Sequence, residues 1–195
     1  MKLYFIRHWR TEANLTGKMA KNYDEADIIA DYPEGWDKKV GCHISESECS
    51  LLVSSFAKRC QQTCELVFGR KPDMRNDIVG EFDCAALGDR KFWEMTREEF
   101  EALVPLTPKQ MEEKADHILR FADCLHGLCH ENVIIMTHGM VIRYLYHYFT
   151  GNKGISAYDV INSKGFEFSN LDMLVYDTET HQVTVHRYDD KKMFC

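Results

Sequence analysis

The chain has 195 residues, a formal net charge of −7 at pH 7, 45% hydrophobic residues and 28% charged residues. This composition is typical of a globular domain, and the negative charge excludes a general nucleic-acid surface, which needs a basic stripe facing many phosphates. No apolar run approaches the roughly 20 residues that span a bilayer. We expect one domain over residues 1–195, without a signal peptide, that is cytoplasmic and has no nucleic-acid or membrane partner.

The first predicted element is a short strand over Lys2–Ile6. It is followed directly by Arg7 and His8, and then by Thr11 and Asn14. Open α/β sheets bind ligands at the carboxyl ends of their strands. Cations, a hydroxyl and an amide at such an end therefore predict an anion site, and we expect its guest to be a phosphate.

A second apolar run, Leu51–Val53, leads into a helix predicted over Ser55–Phe68. The helix carries an inward apolar face, and Gly69 is expected to end it. Arg59 lies near the start of this helix. The strand end therefore adds a second arginine to the predicted anion site.

A third run, Val133–Thr137, ends at His138 and Gly139, before a helix predicted over Met140–Phe149. This repeats the pattern of the first strand, in which a buried segment breaks at a histidine. We expect the three strand ends to meet at one edge of a sheet and to bring both histidines and the second arginine together.

The remaining segments alternate between helical and strand patterns and end in a hairpin signature. This order predicts an α/β fold: three layers, with a mostly parallel mixed sheet, helices on both faces and a C-terminal β-hairpin. Loop or flap segments are expected at 15–50 and 82–110. The predicted helices are Asp24–Tyr32, a helix from Thr96 to about Val104 that begins with a capping box formed with Glu99, and a helix from Thr107 to about Cys129. The predicted strands are Asp77–Glu81, Phe166–Val175 and Val183–Arg187, and a turn at Asp177–His181 joins the last two.

The chemistry of the predicted site suits attack on phosphorus. A histidine is a nucleophile only when it is neutral and its other ring nitrogen is held. Arg7 and Arg59 supply planar, bidentate donors for phosphoryl oxygens, while His138 and Asn14 can donate further hydrogen bonds. The set lacks a proton donor for the leaving group.

Three ordered sequence blocks resemble those of the histidine phosphatase superfamily, also called the phosphoglycerate mutase-like family. The family's opening motif, Arg-His-Gly-x-Thr-x-x-Asn, is matched by Arg7, His8, Thr11 and Asn14, with Trp9 in place of the glycine. Its second block, Ser-Ser-x-x-x-Arg-x-x-Gln-Thr, is matched by Ser54, Ser55, Arg59, Gln62 and Thr63. The third block, an apolar strand into His-Gly, is matched at His138 and Gly139. The family's crossover helix before the second strand is not found between Trp36 and Ser50.

The resemblance implies a phosphatase that hydrolyses a small phosphomonoester through a covalent phosphohistidine, without a metal or another cofactor. His8 is expected to be the nucleophile, in a phosphate pocket formed by Arg7, Asn14, Arg59, His138 and Gly139. The partners would be a small phosphorylated metabolite and inorganic phosphate, as product or inhibitor. Two alternatives are a phosphoglycerate mutase-type phosphotransferase and a catalytically impaired phosphate-binding or regulatory protein.

The resemblance also implies an acid after the third strand. Glu81 is expected to protonate the leaving oxygen and then activate water, and Asp83 is the alternative. Trp9 is expected at the mouth of the pocket, against the organic part of the substrate. Thr11 either lines the pocket or continues the loop.

Two other chemistries are rejected. Cys84 and Arg90 have the spacing of cysteine-dependent phosphatases, but Asp89 would place a carboxylate where phosphate should bind. A metal site built from Cys124, His126, Cys129 and His130 is rejected because the first cysteine points away from the others at helical spacing. The eight cysteines are expected to be reduced thiols.

Overall fold

The computed structural model describes residues 1–16, 23–32, 34–35, 40–41, 43–44, 50–88, 90–126, 132–163 and 168–188. Its strands are β1 (Lys2–Arg7), β2 (Ser50–Ser54), β3 (Met74–Arg75), β4 (Asn132–Thr137), β5 (Met173–Asp177) and β6 (Val183–His186). Within these ranges they form one six-stranded sheet in the order β3-β2-β4-β1-β5-β6. The first four strands in that order pair in parallel, and β5 and β6 are antiparallel to their neighbours. The predicted mixed, mostly parallel sheet and its closing hairpin are confirmed.

Helices cover both faces of this sheet. They are α1 (Glu12–Thr16), α2 (Lys58–Phe68), α3 (Arg97–Leu103), α4 (Pro108–His126), α5 (Gly139–Phe149) and α6 (Ala157–Asn162). Because successive strand residues point to opposite faces, Leu3 and Phe5 pack in one buried cluster with α4 and α5, while Tyr4 and Ile6 pack in a second cluster with α2. None of the helices in the described ranges is long and apolar enough to cross a membrane.

Two helix boundaries follow the sequence pattern closely. Gly69 ends α2 in a left-handed conformation with φ of +64°, which glycine adopts without steric cost, and its N–H donates to the Glu65 carbonyl. At α3, the Thr96 side chain accepts from the Glu99 N–H and the Glu99 carboxylate accepts from the Thr96 N–H. The predicted capping box is therefore confirmed.

The strand predicted over Asp77–Glu81 is wrong. The Asn76 side chain accepts a hydrogen bond from the Ile78 N–H and begins a 3-10 turn over Asp77–Val79. The strand lies upstream, where Met74 and Arg75 pair with the end of β2. A side-chain capping interaction thus replaces the strand ladder at this position.

The helix predicted over Asp24–Tyr32 is also wrong. A single 3-10 turn, Tyr23–Glu25, is followed by an extended segment in which Ile28 forms a β-bridge with Thr11. The Ile28 N–H donates to Gln62 Oε1 at 3.0 Å. These tertiary hydrogen bonds satisfy the backbone in place of helical ones.

The first arm of the hairpin is shorter than predicted. β5 begins at Met173 because Leu171 has a positive φ of +67° and turns the chain just before the strand. Phe166 and Cys129, at the ends of two predicted elements, lie outside the described residues. In the stretch searched for a crossover helix, Val40 and Ile44 are buried in the second cluster, beside α2.

The sheet places three strand ends at one edge. β1 and β2 both pair in parallel with β4, so their carboxyl ends lie together. The ladder continues past the strands, since the His8 N–H donates to the Thr137 carbonyl at 3.0 Å and the Ser55 N–H donates to the Met136 carbonyl at 3.2 Å. The residues that follow these strands are therefore held in fixed positions relative to one another.

Candidate active site

Arg59 lies between the two histidines at this edge. Its Nε donates to His8 Nε2 at 3.1 Å, and its Nη2 lies 2.9 Å from His138 Nδ1. The two imidazole rings are 5.4 Å apart, centre to centre, in an edge-to-face arrangement. The meeting of the three strand ends expected from the sequence is observed.

The hydrogen bonds of His8 determine its tautomer. His8 Nδ1 lies 2.6 Å from the Trp9 carbonyl, which only accepts, so this nitrogen carries the proton. Nε2 accepts from Arg59 and therefore presents a lone pair. Burial, and then the charges of Arg59 and Arg7, lower the pKa of His8 well below its usual 6.5, which keeps the ring neutral.

His138 has the opposite tautomer. Arg59 only donates, so His138 Nδ1 accepts from it, and Nε2 donates to Ser55 Oγ at 2.9 Å. Burial, followed by the charges of Arg59 and His8, lowers the pKa of His138 well below 6.5. As the residue that precedes α5, His138 also stands at the positive end of a helix dipole.

Arg7 approaches the start of α5 closely because Gly139 has no side chain. A Cβ at Gly139 would lie 3.1 Å from Arg7 Nε and 3.3 Å from Arg7 Cζ, distances tighter than ordinary packing. The Arg7 N–H donates to the Asp172 carbonyl at 3.1 Å, and its Nη1 donates to the Phe168 carbonyl. The glycine thus makes room for a guanidinium that the Phe168 carbonyl holds, while the Asp172 carbonyl holds the Arg7 backbone.

Asn14 is oriented by Thr11. Asn14 Oδ1 accepts from the Thr11 N–H at 3.0 Å and from its hydroxyl at 3.3 Å, which directs the amide NH2 group away from Thr11. Asn14 lines the cavity beside His8, whereas Thr11 is buried and does not line it. Of the two alternatives for Thr11, the structure supports a residue that continues the loop and positions its neighbour.

A cavity of about 120 Å³ at this edge is lined by the predicted site residues Arg7, His8, Asn14, Glu81 and Gly139, whereas Arg59 and His138 do not line it. A second cavity, of about 270 Å³, opens on the other side of the histidine pair and includes Ser55, Glu81, Asp83 and His138. Glu81 lines both cavities. The first is lined by Arg7, His8, Asn14, Glu81, Cys84, Leu87, Phe92, Gly139, Met140, Arg143 and Ile161.

The Glu81 carboxyl group is held at the start of α5. Oε2 accepts from the Met140 N–H at 3.2 Å, and Oε1 accepts from the Phe82 N–H at 3.0 Å. Burial raises the pKa of Glu81 above 4.5, against the opposing effect of these two hydrogen bonds and the charges of Arg59 and Lys114. Glu81 is thus a partly buried carboxyl group, in the same cavity as His8, that keeps its proton to a higher pH than an exposed glutamate.

Asp83 is placed differently. It is exposed, and its Oδ1 accepts from the Ala85 N–H at 3.0 Å, where it begins a 3-10 turn. Asp83 does not line the cavity that contains His8. Of the two acids considered, the geometry favours Glu81.

The expectation that Trp9 lies at the mouth of the pocket is wrong. Trp9 is 0% exposed and packs within the second core cluster, on the opposite side from the cavity. Its ring meets Tyr32 edge to face at 5.4 Å, and the Arg10 guanidinium lies 4.7 Å from its centroid. The Trp9 N–H donates to Thr63 Oγ1 at 2.9 Å, which aims the side chain into the core behind the site.

One buried residue that the sequence does not predict supports His8 from behind. Asn170 Nδ2 donates to the His8 carbonyl at 2.7 Å and lies 3.5 Å from Asn14 Oδ1. Asn170 is buried, in a turn that also donates the Leu171 N–H to the Arg7 carbonyl. Ser169-Asn170 reads only as turn composition in the sequence, so a contact across about 160 residues had no local signal.

The rejected chemistries gain no support from the structure. Burial raises the pKa of Cys84 to about 12, so its sulfur is a thiol and not a thiolate near neutral pH. Within the described ranges no group of three or more His, Cys, Asp or Glu residues could hold a metal ion. Cys129 and His130 lie outside those ranges.

Two histidines and two arginines thus lie at the carboxyl edge of a mixed α/β sheet, beside a carboxyl group, and guanidinium groups in such a place suit the binding of an anion such as phosphate. The family model for the histidine phosphatase superfamily, branch 1, matches residues 3–191. The chain therefore belongs to this superfamily. A search of curated proteins finds no match.

Solved structures share the fold over nearly their whole length. A mutant phosphoserine phosphatase from Entamoeba histolytica, solved with phosphoserine, is 16% identical with a TM-score of 0.70 and covers 100% of this chain and 99% of its own. The phosphoserine phosphatase from the same organism in complex with 3-phosphoglyceric acid is 16% identical, with a TM-score of 0.69 and 94% of both chains covered. A proposed α-ribazole-5′-phosphate phosphatase from Escherichia coli is 18% identical, with a TM-score of 0.63 and 98% of both chains covered.

Proposed function

We propose that the protein is a phosphatase that hydrolyses a small phosphomonoester through a phosphohistidine at His8. The observation that carries the proposal is the hydrogen bonding of His8. Its Nδ1–H is held by the Trp9 carbonyl, while Nε2 presents a lone pair beside two arginines. A neutral, oriented imidazole next to fixed cations is what attack on a phosphoryl group requires.

In the first step His8 Nε2 attacks phosphorus, and the bond from phosphorus to the ester oxygen breaks. Glu81 gives its proton to the departing oxygen, so an alcohol leaves and the glutamate becomes a carboxylate. Arg59 exchanges its hydrogen bond to His8 for one to a phosphoryl oxygen. The positive charge that develops on the imidazole is stabilised by the Trp9 carbonyl at Nδ1.

In the second step a water molecule gives a proton to the Glu81 carboxylate, and its oxygen attacks phosphorus. The bond from phosphorus to His8 breaks, inorganic phosphate leaves, and both residues return to their starting protonation states. Arg7, Arg59 and the Asn14 amide hold the phosphoryl oxygens throughout, and His138 positions Arg59 by accepting its hydrogen bond at Nδ1. The Gly139 N–H, at the start of α5, adds a backbone donor of the kind that binds phosphate at helix N-termini.

The two arginines supply a positive field at the phosphoryl group, so we propose that no metal is needed. Exhaustive chelation with EDTA should leave the activity unchanged. Loss of activity that magnesium or zinc restores would contradict this part of the proposal.

The size of the cavity favours a compact substrate. At about 120 Å³ the cavity is small beside the roughly 300–1,000 Å³ of typical ligand pockets. The two Entamoeba histolytica structures, solved with phosphoserine and with 3-phosphoglyceric acid, support a small phosphorylated metabolite here as well.

The test is to trap the intermediate by rapid quenching with a ³²P-labelled substrate. Wild type and Cys84→Ala should hold label that is labile in acid and stable in alkali, and His8→Ala should hold none. His181→Ala, a histidine variant in the hairpin turn, is the matched control and should label normally. Label that persists in His8→Ala, or disappears with Cys84, would overturn the proposal. Formation of 2-phosphoglycerate from 3-phosphoglycerate would favour phosphotransfer over hydrolysis.

A further inference from the structure

A third arginine lines the cavity that contains His8. Arg143 lies on α5, and its Nη1 donates to the Ile161 carbonyl at 2.6 Å, near the end of α6. The cavity wall around it includes Leu87, Phe92 and Ile161. The phosphate chemistry described above does not use this guanidinium.

The helix sets the spacing between Arg143 and the phosphate site. Gly139, which contacts Arg7, and Arg143 are separated by four residues in α5, so they share one face of the helix. The rise along the axis over four residues is about 6 Å. Arg143 therefore stands about one helical turn from the residue beside Arg7, and both arginines line the cavity that contains His8.

We infer that Arg143 selects substrates that carry a carboxylate at the end opposite the phosphoryl group. This inference rests on the proposed phosphatase function and adds the substrate class. A planar guanidinium matches a carboxylate in shape and charge. Apolar side chains line the same cavity as Arg143 and lower its local dielectric constant, which strengthens the attraction of the guanidinium for an anion.

A carboxylate fits this end of the cavity better than a second phosphoryl group does. The total volume of about 120 Å³ is small, and a carboxylate is flat and compact whereas a phosphoryl group is tetrahedral. The bond to the Ile161 carbonyl also fixes one edge of the guanidinium before substrate arrives, which lowers the entropic cost of ordering it.

The test compares two substrates that differ only in the carboxylate. Phosphoserine and phosphoethanolamine share the phosphoryl group, the ester oxygen and the amine. In wild type, kcat/KM should favour phosphoserine by on the order of tenfold or more, the worth of one charge-assisted hydrogen bond. Arg143→Gln should bring the ratio close to one by lowering only the phosphoserine value, and Arg143→Lys should restore part of the ratio.

The matched control is Arg97→Gln. Arg97 also holds α6, through Asp159 and Ser156, but it is exposed and does not line the cavity. If Arg143 only braces α6, both variants should lower kcat/KM equally for the two substrates. A wild-type ratio near one, or a ratio that survives Arg143→Gln, would overturn the inference.

The same experiment separates this inference from the function on which it rests. If wild type hydrolyses p-nitrophenyl phosphate but does not discriminate within the pair, hydrolysis stands and the inference fails. If no phosphate ester is hydrolysed, the proposed function fails. In that case calorimetry tests the inference. Wild type should bind phosphoserine with a lower Kd than phosphoethanolamine, and Arg143→Gln should bind the two with similar Kd values.

Discussion

Arg59 Nε donates a hydrogen bond of 3.1 Å to His8 Nε2. The nitrogen that we propose attacks phosphorus is therefore an acceptor, with its lone pair directed towards a fixed cation. A phosphoryl oxygen that reaches this place offers Arg59 a charged acceptor in exchange for a neutral one, and charge-assisted hydrogen bonds are the stronger kind. In the proposed mechanism, substrate binding therefore releases His8 and engages Arg59 in a single exchange.

The dependence of kcat/KM on pH should be set by His8 and Glu81. Burial and two arginines lower the pKa of His8, so the nucleophile is lost only as pH falls through that depressed pKa. Burial raises the pKa of Glu81, so the acid is lost as pH rises through that raised pKa. The pH profile of kcat/KM for an aryl phosphate should be bell-shaped, with these two groups as its acid and alkaline limbs.

Lys114 provides a test of the alkaline limb. Its positive charge lowers the pKa of Glu81, and its Nζ lies 5.3 Å from the ring of the adjacent Phe82. Lys114→Met should therefore move the alkaline limb to higher pH. Lys109→Met, on the same helix but with an exposed side chain, should leave the limb in place. If the alkaline limb of Lys114→Met stays where it is in wild type, a group other than Glu81 causes that limb.

Glu81→Gln should slow alkyl phosphates more than aryl phosphates. An alkoxide leaving group needs a proton in the transition state, whereas a phenolate leaves with less help, and general acids typically contribute about 10²–10⁴-fold. The measurement is kcat/KM for p-nitrophenyl phosphate and for a matched alkyl phosphate.

The control is Asp83→Asn, which keeps an oxygen able to accept from the Ala85 N–H. Asp83→Asn should change kcat/KM little for either substrate. Equal losses on the two substrates in Glu81→Gln, or a larger loss in Asp83→Asn, would move the acid to another residue.

The approach of Arg7 to Gly139 gives a third test. In Gly139→Ala the new Cβ meets the guanidinium at 3.1 Å, so Arg7 must shift away from its place in the cavity wall. We expect weaker inhibition by inorganic phosphate and a higher KM. A shift of the Arg7 guanidinium by a few tenths of an ångström to about one ångström is sufficient for a large loss of activity. Gly154→Ala, where an added Cβ meets nothing within 4 Å, is the matched control and should behave as wild type. Unchanged phosphate inhibition in Gly139→Ala would remove Arg7 from the phosphate site.

The sequence was most informative where a strand ends in chemically distinctive residues. His8, Arg59 and His138 each follow an apolar run, and parallel pairing brings such ends to one edge whatever the intervening loops do. The sequence places Glu81 less well, because the segment before it forms a 3-10 turn over Asp77–Val79 rather than the predicted strand. Its position in the cavity depends on the N–H of Met140, 59 residues away.

Other parts of the site had no local sequence signal. Asn170 reaches the His8 carbonyl from a turn in which Leu171 has a positive φ, which is unusual for a leucine. Arg143 reads as one more polar position on an amphipathic helix. Whether such a residue faces solvent or a cavity depends on how the neighbouring loop packs, and residues 82–110 carry too little periodicity to fix that packing.

Trp9 shows how a motif position can mislead, and it leads to the last prediction. The family motif predicts that the position after His8 faces the substrate at the mouth of the pocket. The indole is instead fully buried against Tyr32, with Arg10 over its other side. Trp9→Ala should lower the free energy of unfolding by about 3–5 kcal/mol, as expected for truncation of a buried aromatic side chain.

The measurement is urea denaturation at one pH, together with KM for an aryl and an alkyl phosphate. Trp9→Phe should recover part of the stability because a smaller ring still fills much of the space and can keep its contact with Tyr32. Trp93→Ala is the matched control, since this indole is 51% exposed, and we expect it to change stability by less than about 0.5 kcal/mol. In Trp9→Ala that remains folded, KM should respond alike for aryl and alkyl substrates, because the indole lies behind the nucleophile and not beside the substrate. A Trp9→Ala variant of wild-type stability with a selective change for aryl substrates would return the side chain to the mouth of the pocket.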